Sequence, residues 1–541
     1  MYEKISEQEY IKKFKESWRE NGVYYIIMVF IVILAAFLRL YKLTELPYGI
    51  HIDEAGLGVN SYSLANYGVD RYLNSYPIYP KNFDGGQSPF YSYLVAFFIK
   101  FLWNGKLDLL VVRLPMVLVS LLAFVAGLYL LKKMLNKKWQ ILGAFLYAVL
   151  PYFIIQCRFG LDCNALVSML TISLAFLFLA MERDKCIFYI IWGVMWGITY
   201  YTYALSYIAN TFTLLMISIY MIYTHKTQFK KLLSTWVSAF IVAFPLVIMV
   251  IINTFNLPDI MIGKISILKL ENYRGGQIGI NLQLIWDNFL TVLKCILFKD
   301  GINYSSFDGF YTMYICSVPF FVVGFIYLVV KIILSIKNKV FMNECIFLLV
   351  FIAHFISGML LSGDSVPQIH RVNGIFFAQF IIVLYGIYAV VQGVRRLIKK
   401  DIKVLENSLI GVIGFIYFVS FIFFAKFYFY EYKDAIYPQM LYSDQYANTI
   451  NALDDNGLGE VNTYIDASIV YYQFSTQMNP YDLYNTPGAN LGCYKNHFFF
   501  IPEIEKGNVY ILRKEDSARI SEAVSKGLEL LWEDSIWRIY Y

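Results

Sequence analysis

Charge is what this 541-residue sequence has little of: 16% of its residues are Asp, Glu, Lys or Arg, against 58% hydrophobic, and the mean hydropathy is +0.54. A soluble domain carries about a quarter charged and under half apolar residues, so the composition excludes that class and indicates an integral membrane protein. Cysteine is scarce and scattered. Cys157, Cys163, Cys186, Cys295, Cys316 and Cys345 lie in or near apolar runs and only Cys493 in the polar C-terminal part, which argues against a disulfide framework. No second His or Cys stands at ligand spacing from His51, which therefore reads as a loop residue. There is no G-x-x-x-x-G-K and no G-x-G-x-x-G opening a helix; Gly56 and Gly58 lack the third glycine. Nor is there a cytoplasmic domain large enough to take a soluble nucleotide sugar. The net charge of +6 comes largely from short Lys/Arg clusters between apolar stretches, so it reads as topology and leaves no nucleic-acid partner.

What is present is a series of about eleven apolar runs long enough for about 30 Å of hydrocarbon. They fall near Val23 to Leu40, Val111 to Leu131, Trp139 to Ile155, Ala165 to Met181, Cys186 to Tyr203, Ile208 to Tyr223, Leu232 to Ile252, Tyr314 to Ile336, Ile346 to Leu361, Ile375 to Val391 and Leu409 to Phe427. The first lacks a small-residue cleavage site and reads as an uncleaved span. With the Lys-rich N-terminus in the cytoplasm, the clusters around Lys132, Arg183, Lys230, Lys337 and Arg395 all fall inside and the C-terminus outside. Phe90 to Leu102 is too short to span, and Leu282 to Phe298 is amphipathic; both are expected along the outer interface. The expected fold is an all-α polytopic membrane bundle with outer interfacial helices and a small extracytoplasmic α/β domain. It divides into a cytoplasmic segment 1–22, a transmembrane module 23–427 with outer loops 42–110, 253–313 and 362–373, and a C-terminal domain 428–541. The absence of targeting signals makes a prokaryotic plasma membrane the default location.

Charged side chains are costly in mid-bilayer, and here they gather instead in the outer segments. The first holds His51, Asp53, Glu54, Asp70, Arg71, Lys81 and Asp84; the next outer turn holds Arg158 and Asp162; Glu271 and Arg274 follow, then His370 and Arg371. An acid and base set on the outer rim suits a lipid-borne substrate whose head group lies at that depth.

The order of these residues resembles the GT-C membrane glycosyltransferases, in particular the protein O-mannosyltransferase and aminoarabinose transferase branch. The resemblance runs over roughly residues 20 to 395: His51-Ile52-Asp53-Glu54, then Ala65 and Gly68, Gln87-Ser88-Pro89-Phe90-Tyr91, Arg113-Leu114-Pro115, Leu150-Pro151-Tyr152 with Arg158 and Asp162, Tyr200-Tyr201-Thr202-Tyr203, and His370-Arg371. Relatives often carry Lys or His before the Pro, where this chain has Gly86, Gln87 and Ser88.

The resemblance implies inverting transfer of a sugar from a polyprenyl-phosphate donor to an acceptor glycan, lipid or protein. Asp53 is then the candidate base, and Arg158, Arg274, His370 and Arg371 are candidates for the donor phosphate. Glu54, Asp84, Asp162 and Gln87 are candidate supporting residues, with Glu54 also a candidate ligand for a divalent metal. Each has a structural alternative: Asp53 as an N-cap, Glu54 as a solvent-facing carboxylate beside a helix start, Arg113, Arg158 and Arg371 as snorkelling cations, the Tyr200 cluster as an aromatic belt. The rival functions are a carrier or flippase for a lipid-linked glycan and a non-catalytic scaffold that binds cell-envelope material.

Overall fold

The computed structural model describes the chain except residues 1–6, 84, 274–276, 278, 280, 299–305, 308, 363–365, 399–401, 432–440, 443–445 and 535. Fifteen helices precede the C-terminal unit: α1 (Glu7–Leu40), α2 (Ile52–Tyr67), α3 (Pro89–Leu102), α4 (Leu109–Met134), α5 (Lys137–Val149), α6 (Pro151–Ile155), α7 (Ala165–Arg183), α8 (Cys186–Thr199), α9 (Tyr207–Tyr223), α10 (Phe229–Thr254), α11 (Leu282–Leu297), α12 (Ser317–Asn338), α13 (Cys345–Met359), α14 (Phe376–Ile398) and α15 (Ile402–Lys426). Among the described residues eight helices are long and apolar enough to cross a membrane, and nine if α5 and α6, bent by 56° at Pro151, count as one span.

The two remaining expected spans are α8 and α13, of 14 and 15 residues. At 1.5 Å per residue each covers only about 21–23 Å, short of the hydrocarbon. The shortfall has a local cause. Past α8 the apolar and aromatic composition continues but the chain turns irregular over Tyr200–Ser206, and α13 ends just before the polar segment that starts at Ser362; the described residues 366–375 and Gln156–Asn164 form further irregular turns. Backbone of that kind is tolerated at membrane depth only where protein covers it, and most of these residues are buried. Helices α7 and α14 form the centre, with 78% and 83% of their apolar windows buried, whereas α1, α12 and α15 lie outermost at 22%, 22% and 17%.

Helices α12 and α14 cross at two glycines. A Cβ on Gly324 would run into the Ile382 carbonyl, and one on Gly386 into the Phe320 carbonyl, so backbone packs on backbone there. Gly386→Leu is therefore expected to separate the two helices, lowering the melting temperature by several degrees or blocking accumulation in the membrane; thermal denaturation of purified protein checks this. The short helices behave as their patterns ask. On α11 Leu282, Trp286 and Leu290 are exposed while Val292, Cys295 and Ile296 are buried, and α3 buries Val95 and Ile99 while exposing Phe97 and Phe101.

The C-terminal unit is a six-stranded mixed sheet in the order β6-β7-β5-β8-β10-β9, from β5 (Thr463–Ile465), β6 (Cys493–Tyr494), β7 (His497–Phe498), β8 (Val509–Arg513), β9 (Leu530–Glu533) and β10 (Trp537–Tyr540). Central β5 runs parallel to β7 and β8, and β10 antiparallel to β8 and β9. One face packs its own cluster of Ile504, Tyr510, Leu512, Ala523, Leu528 and Tyr540, whereas the other packs onto the membrane module. Val470, Tyr471, Phe474, Ile511 and Trp537 share one cluster with Ala55, Leu57 and Val59 of α2, and the Phe474 ring fills the space a side chain on Gly58 would take. A further strand pair, β1 (Ile50–His51) with β4 (Leu441–Tyr442), ties the approach to this unit to the start of α2; a small hairpin of β2 (Ile260–Ile262) and β3 (Ile265–Ile267) follows α10.

Candidate active site

The first turn of α2 separates two adjacent carboxylates by what each one touches. His51 is the N-cap: its Nδ1 accepts the Asp53 N–H at 3.1 Å, and Glu54 reaches back to accept the His51 N–H at 3.4 Å, completing a reciprocal capping box. The capping position proposed for Asp53 is thus held by His51. The Asp53 side chain stays 44% exposed, with Oδ2 3.8 Å from His51 Nδ1. Since that nitrogen already accepts a bond, the neutral imidazole carries its proton on Nε2.

Glu54 points the other way, into the protein, and has no exposed side-chain surface. Its Oε1 accepts from Arg113 Nε at 2.9 Å and from the Gly160 N–H at 2.8 Å, and its Oε2 from Arg113 Nη2 at 3.0 Å. The Arg113 fork also donates to the carbonyls of Leu43, Pro47 and Gly49. This corrects two expectations: Glu54 is neither solvent-facing nor available to a metal, because its lone pairs are occupied by a bidentate guanidinium and main-chain N–H groups. It bolts the start of α2 to α4 and to the turn at Gly160.

Arg158 is likewise corrected. It is fully buried, and its nitrogens donate to the carbonyls of Leu38, Arg39, Tyr41 and Leu46 while Tyr428 and Phe429 cover its faces. Those bonds fasten the end of α1 to the irregular turn and leave no open fork for a phosphate.

Gln87 and Asp162 sit where a supporting role requires. Gln87 is buried; its Nε2 donates to the Asp53 carbonyl at 3.0 Å and its Oε1 accepts from Asn82 Nδ2 at 3.0 Å. Asn82 lies against Gly56, where a Cβ would strike its amide, so the loop carrying it rests directly on α2. Asp162 accepts the Ser88 N–H at 2.7 Å and the Cys163 N–H at 2.8 Å, fixing the loop that enters α3. His370 and Arg371, both half-buried, form a turn packed beside the Asp162–Asn164 turn, with Arg371 Nη1 donating to the Val366 carbonyl at 2.9 Å. Asn373 knits these turns together, accepting from the Tyr152 hydroxyl and donating to the Cys163 carbonyl. Arg274 and Asp84 lie outside the described residues.

Beside this rim, a cavity of about 330 Å³ opens between α9 and α10, lined by Tyr200, Tyr207, Trp236, Phe240, Leu246 and Ile251 among others. Its walls are almost wholly apolar, and Phe240 and Ile251 are exposed on the outside of the bundle. Tyr207 is close enough to Asp162 and Tyr79 to interact electrostatically, and the Tyr201 carbonyl next to the cavity wall accepts the Phe90 N–H at 3.0 Å. The cavity therefore adjoins the same loops that hold Asp53.

No family model matches the sequence, and no curated protein matches it significantly. Solved structures do. ArnT from Cupriavidus metallidurans bound to undecaprenyl phosphate superposes with a TM-score of 0.54 at 10% identity, over 97% of this chain and 98% of that one. This chain shares the fold of that structure. The Archaeoglobus fulgidus oligosaccharyltransferase AglB, in complex with an inhibitory peptide and a dolichol-phosphate, gives 0.48 at 13% identity over 86% of this chain; this chain spans 64% of its length. A complex of the A. fulgidus enzyme with Zn and sulfate gives 0.46 at 13% identity, over 84% and 61%.

Of the site residues expected from sequence, the structure joins Gln87 to Asp53 by a hydrogen bond to its carbonyl and brings Asp162 to the same loop through the Ser88 N–H. It turns Glu54 and Arg158 into internal braces. The Glu54–Arg113 pair carried no clear signal in the sequence, since Glu54 stands beside Asp53 and only Arg113 is flanked by apolar residues. Asn82 and Asn373 carried none, since an asparagine is ordinary in a loop.

Proposed function

We propose that this protein transfers a sugar from a polyprenyl-phosphate donor to an acceptor at the outer face of the membrane, with inversion, using Asp53 as the general base. The observation that carries this reading is the half-exposed Asp53 carboxylate, fixed through its backbone by His51 and Gln87, with an apolar cavity between α9 and α10 whose Tyr207 comes within electrostatic reach of Tyr79 and Asp162 on the neighbouring loops. A prenyl chain fits such a lining, and a carboxylate at that depth meets a sugar carried on the lipid head group. Asp53 takes the proton of the acceptor hydroxyl as its oxygen attacks the anomeric carbon, and the bond to the lipid phosphate breaks in the same displacement. His370 and Arg371 are assigned to the departing phosphate, whose negative charge they offset. The solved ArnT structure that shares the fold holds undecaprenyl phosphate, which accords with this donor class. The positive clusters of the inner loops favour a cytoplasmic N-terminus and an extracytoplasmic C-terminal unit.

A metal has no evident home at Glu54, and among the described residues no group of three or more His, Cys, Asp or Glu is placed to hold one. The transfer assay includes that question. Purified protein in lipid is given radiolabelled sugars on synthetic polyprenyl phosphates, with and without EDTA. Transfer or donor hydrolysis with at least one sugar supports the reading, and the EDTA arm decides whether a divalent metal is needed. Tight binding of a donor with neither transfer nor hydrolysis would replace it with a carrier.

A further inference from the structure

Among the described residues four arginines are buried, and three have their charge answered inside the protein. Arg113 has Glu54 and three carbonyls, Arg158 has four carbonyls, and Arg39 donates to the Ser120 hydroxyl and the carbonyls of Ala35 and Tyr147. Arg71 is different. It is 4% exposed, its Nε is buried with no partner, and the only side-chain hydrogen bond of its guanidinium is from Nη2 to the Tyr72 hydroxyl at 3.1 Å. No carboxylate among the described residues forms an ion pair with it. The adjacent Asp70 is engaged elsewhere, its oxygens accepting from the N–H groups of Tyr72, Asn74 and Lys81 and from the Asn74 amide.

A buried cation without a counter-charge is expensive, so a fold that keeps one holds it rigidly for something. Arg71 is held in that way. The guanidinium lies between the rings of Tyr72 and Phe83, 5.0 and 4.7 Å from their centroids, and its own N–H is anchored on Asn60 of α2 at 3.0 Å. Lys81 lies over the Tyr72 ring at 5.3 Å and pairs with Glu271. The loop is the one whose Asn82 braces Gln87 and so Asp53, and from the C-terminal unit the half-exposed Tyr484 comes within electrostatic reach of Tyr72, Asp70 and Arg71. The two rings fix the plane of the guanidinium, and its Nε has no acceptor among the described residues.

We propose that Arg71 anchors an oxyanion subsite that receives a phosphate or carboxylate group of a substrate. The anion binding stands on Arg71 alone; only the choice of substrate rests on the glycosyltransferase reading. The oxyanion belongs either to the lipid phosphate of the donor or to an anionic acceptor, and the position beside Tyr484 suits the second.

The test uses the full-length protein in lipid nanodiscs and Arg71→Gln, with inorganic phosphate, undecaprenyl phosphate and an oligogalacturonate as probes, and a neutral oligosaccharide of equal length as control. Wild-type protein should gain melting temperature with inorganic phosphate beyond a chloride control of equal ionic strength, and the variant should not. The variant should melt no lower than wild type without anion, since it removes an unanswered buried charge. Affinity lost by about tenfold or more for undecaprenyl phosphate identifies the donor as the source; the same loss for the oligogalacturonate identifies the acceptor. Wild-type protein that binds none of the three anions, a variant that binds them all as wild type does, or a variant that simply unfolds several degrees earlier with unchanged binding overturns the subsite. These readouts need no transfer, so failure of the transfer assay and failure of the subsite are separate results.

Discussion

Asp53→Asn is expected to lower the transfer rate by about 10²–10⁴-fold, the usual worth of a positioned general base, with the melting temperature unchanged. The change is nearly isosteric and touches nothing that holds the site together. Asp53 contributes to the fold through its main chain: its N–H donates to His51 Nδ1 and its carbonyl accepts from Gln87, and both survive the substitution. Its carboxylate, 44% exposed, is the part left for chemistry. Single-turnover transfer in lipid, followed beside thermal denaturation, measures both quantities. Wild-type turnover in the Asn variant would assign the base to another residue.

The neighbouring carboxylate should behave in the opposite sense. Replacing either Glu54 or Arg113 alone leaves one charge buried without its partner, which costs about 3–5 kcal/mol, enough to consume much of the stability of an ordinary domain. Glu54→Gln and Arg113→Met should therefore each accumulate poorly or unfold many degrees below wild type. The double variant should recover part of the loss, because it removes the second charge as well. Equal stability of all three variants and wild type, read by thermal denaturation, would mean that the pair does not brace α2. Two acids adjacent in the sequence would then be separated by experiment as they are by geometry: one lost activity with the fold intact, the other lost fold.

That separation explains how much of the site was legible beforehand. The apolar runs gave the bundle, because burial in lipid demands continuous hydrophobic helices whatever the tertiary detail. The small α/β unit expected in the C-terminal part is there as well, for the similar reason that the alternation of its strands is local. The irregular turn at Tyr200–Ser206 did not show, since it is as apolar as the helix it follows and only its contacts make it a turn, whereas the polar segment 362–373 was expected as an outer loop. For charged residues, the sequence located the rim but not the direction of each side chain. Asp53 and Glu54 differ by one step along a helix, about 100° of rotation, and that step puts one in the open and the other against Arg113. Arg158 had the same ambiguity: a guanidinium at the rim reads as a phosphate ligand until four carbonyls are found around it.

The shared packing of α2 with the C-terminal unit has a consequence for how the protein comes into being. The helix bearing Asp53 is synthesised about four hundred residues before Val470 and Phe474, which pack against it. Until those residues emerge, the inserted bundle holds its acidic residue on a helix with no floor. Maturation of the site therefore waits on a segment made long after the helix that carries it.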